Sequence, residues 1–246
     1  MDTALTEISL QGLIIAFLPV AIVIGIMVRW SVGAPTAIYA TLRMLIQLLL
    51  IGYVLLYIFD SDRPLFIMAV LALMLVVASW IAIRPLKNKQ PQMYFNSLGA
   101  ISVAGILTLA LVSQFVIGVE PWFSPRYVVP LAGMIFSGAM NSVSLAGERL
   151  QSEYDRGTPY LESRKIAFQA SMIPITNSLF AVGLVALPGM MTGQILSGVS
   201  PLIAVKYQIV VMTMLFGASG IAAALYLVLA RRGLRKAGVC PDVRQL

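Results

Sequence analysis

Arg43 and Gln47 are four residues apart, so on a helix they share a face. An arginine inside an apolar run is costly unless it is paired, and it marks a substrate path or an interface by default. The competing account is that Arg43, about two turns from a membrane surface, reaches the interface along its own aliphatic stem. Ser137 and Asn141 also share a face, and Thr176 and Asn177 are adjacent polar residues in a later apolar run. Amides and hydroxyls at such positions either bond across helices or line a polar path. Met190 and Met191 are adjacent thioethers, suited to a soft metal ion or to filling irregular packing.

What is missing bounds the chemistry further. The chain has no histidine and one cysteine, Cys240, so it holds no Cys/His nucleophile pair, no zinc site of that kind and no intrachain disulfide. No carboxylate falls within the apolar runs, which removes a carboxylate proton relay. No Walker A pattern is present to cradle ATP. The expectation is a chain that is not itself an enzyme and carries no cofactor or metal.

The elements that would position these residues are membrane helices. Of 246 residues, 59% are hydrophobic and 11% charged. A soluble domain carries about 25% charged residues, and a lipid-facing surface removes the need for them. A spanning helix needs roughly 20 apolar residues. Seven runs qualify: 10–28, 36–59, 65–83, 98–117, 127–147, 173–196 and 207–230. The expected fold is all-α, a single polytopic membrane domain over 1–246 with about seven transmembrane helices. Pro174 and Pro188-Gly189 make the sixth run the least regular, and a broken or re-entrant segment there is the alternative. Gly138, Ser142 and Ala146 repeat every four residues, and Gly189 and Gly193 form a GxxxG pair. Both patterns let helix backbones approach closely, and Pro188 adds a hinge.

The basic residues set the orientation. With the N-terminus outside, the inner connectors and tail hold Arg29, Arg84, Lys87, Lys89, Arg149, Arg156, Arg164, Lys165, Arg231, Arg232, Arg235, Lys236 and Arg244. The outer connectors hold Arg63 and Arg126. Thirteen against two gives N-out/C-in. The net charge of +7 is thereby explained by topology, without nucleic acid. One connector, at about 148–172, is long. In it Gly157 breaks one helix, Thr158 is the expected cap of the next, Pro159 its first residue and Glu162 part of its first turn. A short amphipathic surface helix is expected to follow, carrying Arg164, Lys165, Ile166 and Phe168.

Three stretches resemble the FetB-type ABC transporter permeases, which include bacterial iron-export permeases and plant aluminium-tolerance permeases. They are Arg43-Met44-Leu45-Ile46-Gln47-Leu48 continuing through Gly52-Tyr53-Val54-Leu55, then Val129-Pro130-Leu131-Ala132-Gly133-Met134-Ile135. The third is Val182-Gly183-Leu184-Val185-Ala186-Leu187-Pro188-Gly189-Met190-Met191-Thr192-Gly193, followed by Lys206-Tyr207-Gln208-Ile209. The resemblance implies a permease subunit in the bacterial inner membrane, a homodimer paired with a separate cytoplasmic ABC ATPase that binds ATP and magnesium. It implies metal, notably iron, efflux. The family's turn before a cytoplasmic helix corresponds here to Gly157-Thr158-Pro159, although the connector before it is shorter.

The charges themselves favour a different cargo. Arg43 and Lys206 are positive, so a chelated metal or an anionic solute such as a sugar nucleotide fits them better than a bare cation. A secondary transporter and a membrane-embedded enzyme are the readings from other classes. Both dispense with an ATPase partner.

Overall fold

The computed structural model describes residues 8–60, 63–86 and 90–236, the side chains of 232–236 excepted. Asp62, Asn88, Lys87, Lys89, Arg244 and Cys240 therefore lie outside the described residues. Every element is helical, with no strand among the described residues. Proline stands in the first turn of six of the helices described below, where its missing N–H has no intrahelical partner to lose.

The chain divides into two compact units, Met1–Asp60 and Ser61–Leu246. The first holds α1 (Leu10–Ala16), α2 (Leu18–Arg29) and α3 (Ala34–Phe59). The run Leu10–Arg29 has no buried residue, and of the 26 residues of α3 only Ala34 and Ile58 are buried. Helices this apolar and this exposed need lipid or another chain as solvent.

The second unit is a bundle. Its helices are α4 (Pro64–Ala82), α5 (Pro91–Ala110), α6 (Pro125–Asp155), α7 (Tyr160–Ala181), α8 (Gly189–Leu196) and α9 (Pro201–Lys236), and α5 widens at its end into a π-helix over Leu111–Ile117. Side-chain contacts give the directions. Gly138 of α6 faces Leu215 and Ser219 of α9, and Gly147 faces Tyr226, so α6 and α9 run parallel. Gly133 meets Met74 and Ser144 bonds the Ala82 carbonyl, so α4 runs with them. Tyr160 meets Leu227 while Met172 meets Gly220, so α7 runs antiparallel to α9.

Small residues make the crossings close. Ala100, Ala104, Ala132, Ala139, Ala218 and Ala222 are buried in one core with Ile101, Ile135 and Val143. Without a hydrophobic force between helices in lipid, such packing and interhelical hydrogen bonds hold the bundle. A Cβ on Gly105 would lie 2.6 Å from Phe136 Cε1, so α5 reaches α6 only because that position is glycine.

Among the described residues, six helices are long and apolar enough to cross a membrane. The sixth apolar run, 173–196, is divided. Its first part belongs to α7, which starts in the expected connector and continues through Pro174 to Ala181. Residues 182–188 then form a turn, and α8 follows. Because α6 and α9 are parallel, α7, this turn and α8 together carry the chain back across. The turn is tightly self-bonded: the N–H groups of Leu184, Val185 and Ala186 all donate to the Ala181 carbonyl, and that of Gly183 to Ala186.

The segment 148–172 differs from expectation in detail. Instead of a separate surface helix, α6 extends to Asp155 and α7 begins at Tyr160, with a turn of residues 156–159 between them. Pro159 occupies the cap position, and Thr158 does not cap α7. Its hydroxyl turns back to Glu153 Oε2 at 3.4 Å, because the Thr158 amide already bonds the Glu153 carbonyl and holds the residue over that side chain.

Candidate functional site

Two sites emerge in the second unit, one at each end of the bundle. The first is the elbow between α6 and α7. Gly157 (φ +87°) ends α6 in the left-handed conformation that favours glycine. The Glu153 carboxylate, almost fully buried, accepts from Arg149 at 2.8 Å and from Arg156 at 3.4 Å. Those two cations offset its desolvation, and the Thr158 hydroxyl supplies a further donor. One side chain thus gathers the last turn of α6 and the turn after it.

The start of α7 is fastened to α9. The Tyr160 hydroxyl donates to the Leu227 carbonyl oxygen at 2.7 Å. The guanidinium groups of Arg164 and Arg231 both approach its ring, 5.9 and 5.6 Å from the centroid. Burial pushes the phenol above its ordinary value, and the two arginines pull the other way. Beneath it Ala146, Leu150, Ala167, Ala223 and Leu227 form a small core of their own. Ser163, Ala167 and Ser171 are buried at four-residue spacing along α7, a small-residue stripe visible in the sequence and not singled out there.

The other face of the elbow is open. Glu162, Lys165 and Phe168 are exposed, and Arg164 and Ile166 half-buried. A preformed surface of this kind loses little ordering entropy when a partner docks.

The second site is a cavity of about 550 Å³ at the opposite end, the one that the charge pattern assigns outside. Arg126, Tyr127 and Met134 of α6, Met190 and Gln194 of α8, and Tyr207 of α9 contribute to its lining. Apart from Arg126 and Gln194 the walls are apolar or aromatic, and no carboxylate lines them. Gln194 Oε1 is buried without a hydrogen-bond partner. Only Met190 of the residues expected on a path lies here.

The remaining expected path residues are dispersed. Arg43, half-buried, and Gln47, exposed, lie on α3 of the first unit. Ser137 and Asn141 are exposed on α6, with the Ser137 hydroxyl donating to the Met134 carbonyl. Thr176 and Met191 are half-buried and Asn177 is exposed. Of the packing residues, Gly138, Ser142 and Ala146 lie along α6, where Ser142 and Ala146 are buried and a Cβ on Gly138 would sit 3.2 Å from Leu215 Cδ2. Pro188 precedes α8, and Gly189 and Gly193 on it have open space around them.

A family model described as an uncharacterised protein family, UPF0014, matches residues 10–234. The chain belongs to the UPF0014 family. It is 40% identical over 188 residues to a UPF0014 membrane protein of Synechocystis, covering 69% of this chain and 71% of the relative. It is 34% identical over 210 residues to the probable iron export permease protein FetB of Escherichia coli, covering 79% and 76%. It is 32% identical over 200 residues to the protein ALUMINUM SENSITIVE 3 of Arabidopsis thaliana, covering 75% and 72%. No solved structure matches. This UPF0014 chain is a multi-pass membrane protein, and the resemblance to FetB-type permeases holds along most of its length.

Proposed function

We propose that this UPF0014 protein is the membrane subunit of an ATP-driven ABC exporter, acting as a homodimer with a separate cytoplasmic ATPase. That partner binds ATP and magnesium, and the transport task is metal efflux, with iron the first candidate. The observation that carries the reading is the elbow at residues 153–168. It is braced from inside by Glu153 and Tyr160 and presents Glu162, Lys165 and Phe168 outward on the basic side. The similarity to a probable iron export permease supports the cargo. Arg43 and Gln47 are proposed to face the path or a subunit interface.

Co-purification with the co-expressed cognate ATPase tests the reading. Phe168→Asp or Ile166→Asp is expected to abolish ATPase capture while the permease still elutes as a monodisperse species. Full capture by both variants would remove the elbow as the coupling site.

Export of an anionic or chelated solute is the second reading. It is favoured by Arg126 in the outer cavity and by the lack of any cluster of three or more His, Cys, Asp or Glu side chains among the described residues.

A further inference from the structure

The outer cavity is assembled from the starts of three helices. Arg126 and Tyr127 stand in the first turn of α6, Met190 in the first turn of α8 and Ile203 in the first turn of α9. The unpaired N–H groups at a helix start carry partial positive charge. Proteins commonly compensate it with an acidic residue in the first turn or a side-chain cap. None of the three helices has an acidic residue there, and neither α6 nor α8 has a side-chain cap. Arg126 adds a full charge at the same place, and Lys206 precedes the lining residue Tyr207. Glu120 lies six residues before Arg126 in the chain and does not line the cavity.

We propose that this cavity is a binding site for a small organic anion, a carboxylate- or phosphate-bearing molecule with or without a chelated metal. Its charge sits against Arg126 and the converging helix starts. Its carbon skeleton lies against Leu131, Met134, Ile203 and Val210. The buried Gln194 Oε1 accepts from a hydroxyl of the bound molecule, which removes its missing partner. A volume of about 550 Å³ is in the range of small-molecule sites. A bare divalent cation is disfavoured here, because the lining offers no anionic ligand and one fixed cation. As a substrate site this assignment rests on the permease reading; as an anion site it stands without it.

The same chemistry is offered by a soluble solute and by an anionic lipid headgroup. The test uses the full-length permease alone, in phosphatidylcholine nanodiscs, titrated with citrate, ferric citrate and ferrous ion. Citrate or its ferric complex is expected to bind, with Arg126→Gln weakening binding at least tenfold and Arg126→Lys recovering part of it. Gln194→Leu is expected to weaken it less. A parallel arm uses nanodiscs containing phosphatidylglycerol. Lipid retention that depends on Arg126, without citrate binding in either disc, identifies the headgroup as the anion and supports the site. Absence of binding in both arms, binding indifferent to Arg126→Gln, or saturable binding of ferrous ion alone would overturn it. The ATPase takes no part in these measurements, so their failure is separate from failure of the elbow to capture a partner.

Discussion

The Tyr160 hydroxyl reaches across 67 positions of sequence to the Leu227 carbonyl oxygen, fastening the first residue of α7 to the C-terminal half of α9. A helix carbonyl has two lone pairs and can accept this bond in addition to its own. The elbow between α6 and α7 is therefore a fixed part of the bundle and not a loop hung beneath it.

Tyr160→Phe removes that bond and keeps the ring. A loss of about 1 kcal/mol in stability is expected. Burial raises the folded phenol above its ordinary value of 10.0, so its stabilisation is complete below pH 10 and falls as pH rises through the folded value. Thermal unfolding in detergent between about pH 9 and pH 11 should show an alkaline decline that is smaller in Tyr160→Phe. Parallel curves for the two proteins would count against it.

Glu153→Gln leaves Arg149 and Arg156 without their carboxylate. Both arginines are partly solvated, which limits the cost to about 1–2 kcal/mol, below that of breaking a fully buried pair. Faster trypsin cleavage at Arg156 is the specific readout, since the turn loses its brace. Unchanged cleavage would show that Glu153 does not hold the elbow.

Gly105→Ala places a methyl 2.6 Å from the ring of Phe136, a residue that is 2% exposed and cannot swing away. A destabilisation of about 1–3 kcal/mol is expected. Gly99→Ala is the control: its nearest neighbour is Leu229 Cδ1 at 4.0 Å, and helix propensity favours alanine. Equal melting temperatures for the two variants would contradict the close crossing of α5 and α6.

Arg43→Leu is expected to reduce transport while leaving insertion and yield intact. The direct measurement is efflux from cells or proteoliposomes. Unaltered efflux would favour a guanidinium that only reaches the interface.

In a Cys240→Ser background, Asp62→Cys should react with an impermeant thiol reagent from outside, and Asn88→Cys only after permeabilisation. The opposite labelling would invert the assigned topology.

The spans were legible because an uninterrupted apolar run has few other uses, and Pro188-Gly189 marked the break in the sixth. The elbow was legible as Gly157-Thr158-Pro159, whose backbone preferences are local. Thr158 was misread because its hydroxyl had two possible targets, and the choice depended on where Glu153 stood one turn back. Tyr160 carries no local signal, since its partner is the backbone of α9. Ser163, Ala167 and Ser171 were readable by spacing alone and were masked by the charged residues among them. The outer cavity was out of reach: Arg126, Met190, Gln194 and Tyr207 belong to separate helices and meet only after the bundle has closed.

The turn at residues 182–188 bears on what the bilayer tolerates. Irregular backbone is excluded from hydrocarbon because each bare amide is expensive there. Here the N–H groups from Val182 to Ala186 all find acceptors within residues 178–186, and the outermost side chains are Leu184 and Val185, 92% and 84% exposed. Seen from the lipid, this kink is a greasy knuckle whose amide hydrogens are turned onto its own carbonyls. The shelter is one-sided: the carbonyls of residues 182–185 accept none of these bonds, so the interruption still calls for donors from water, headgroups or another chain on that side.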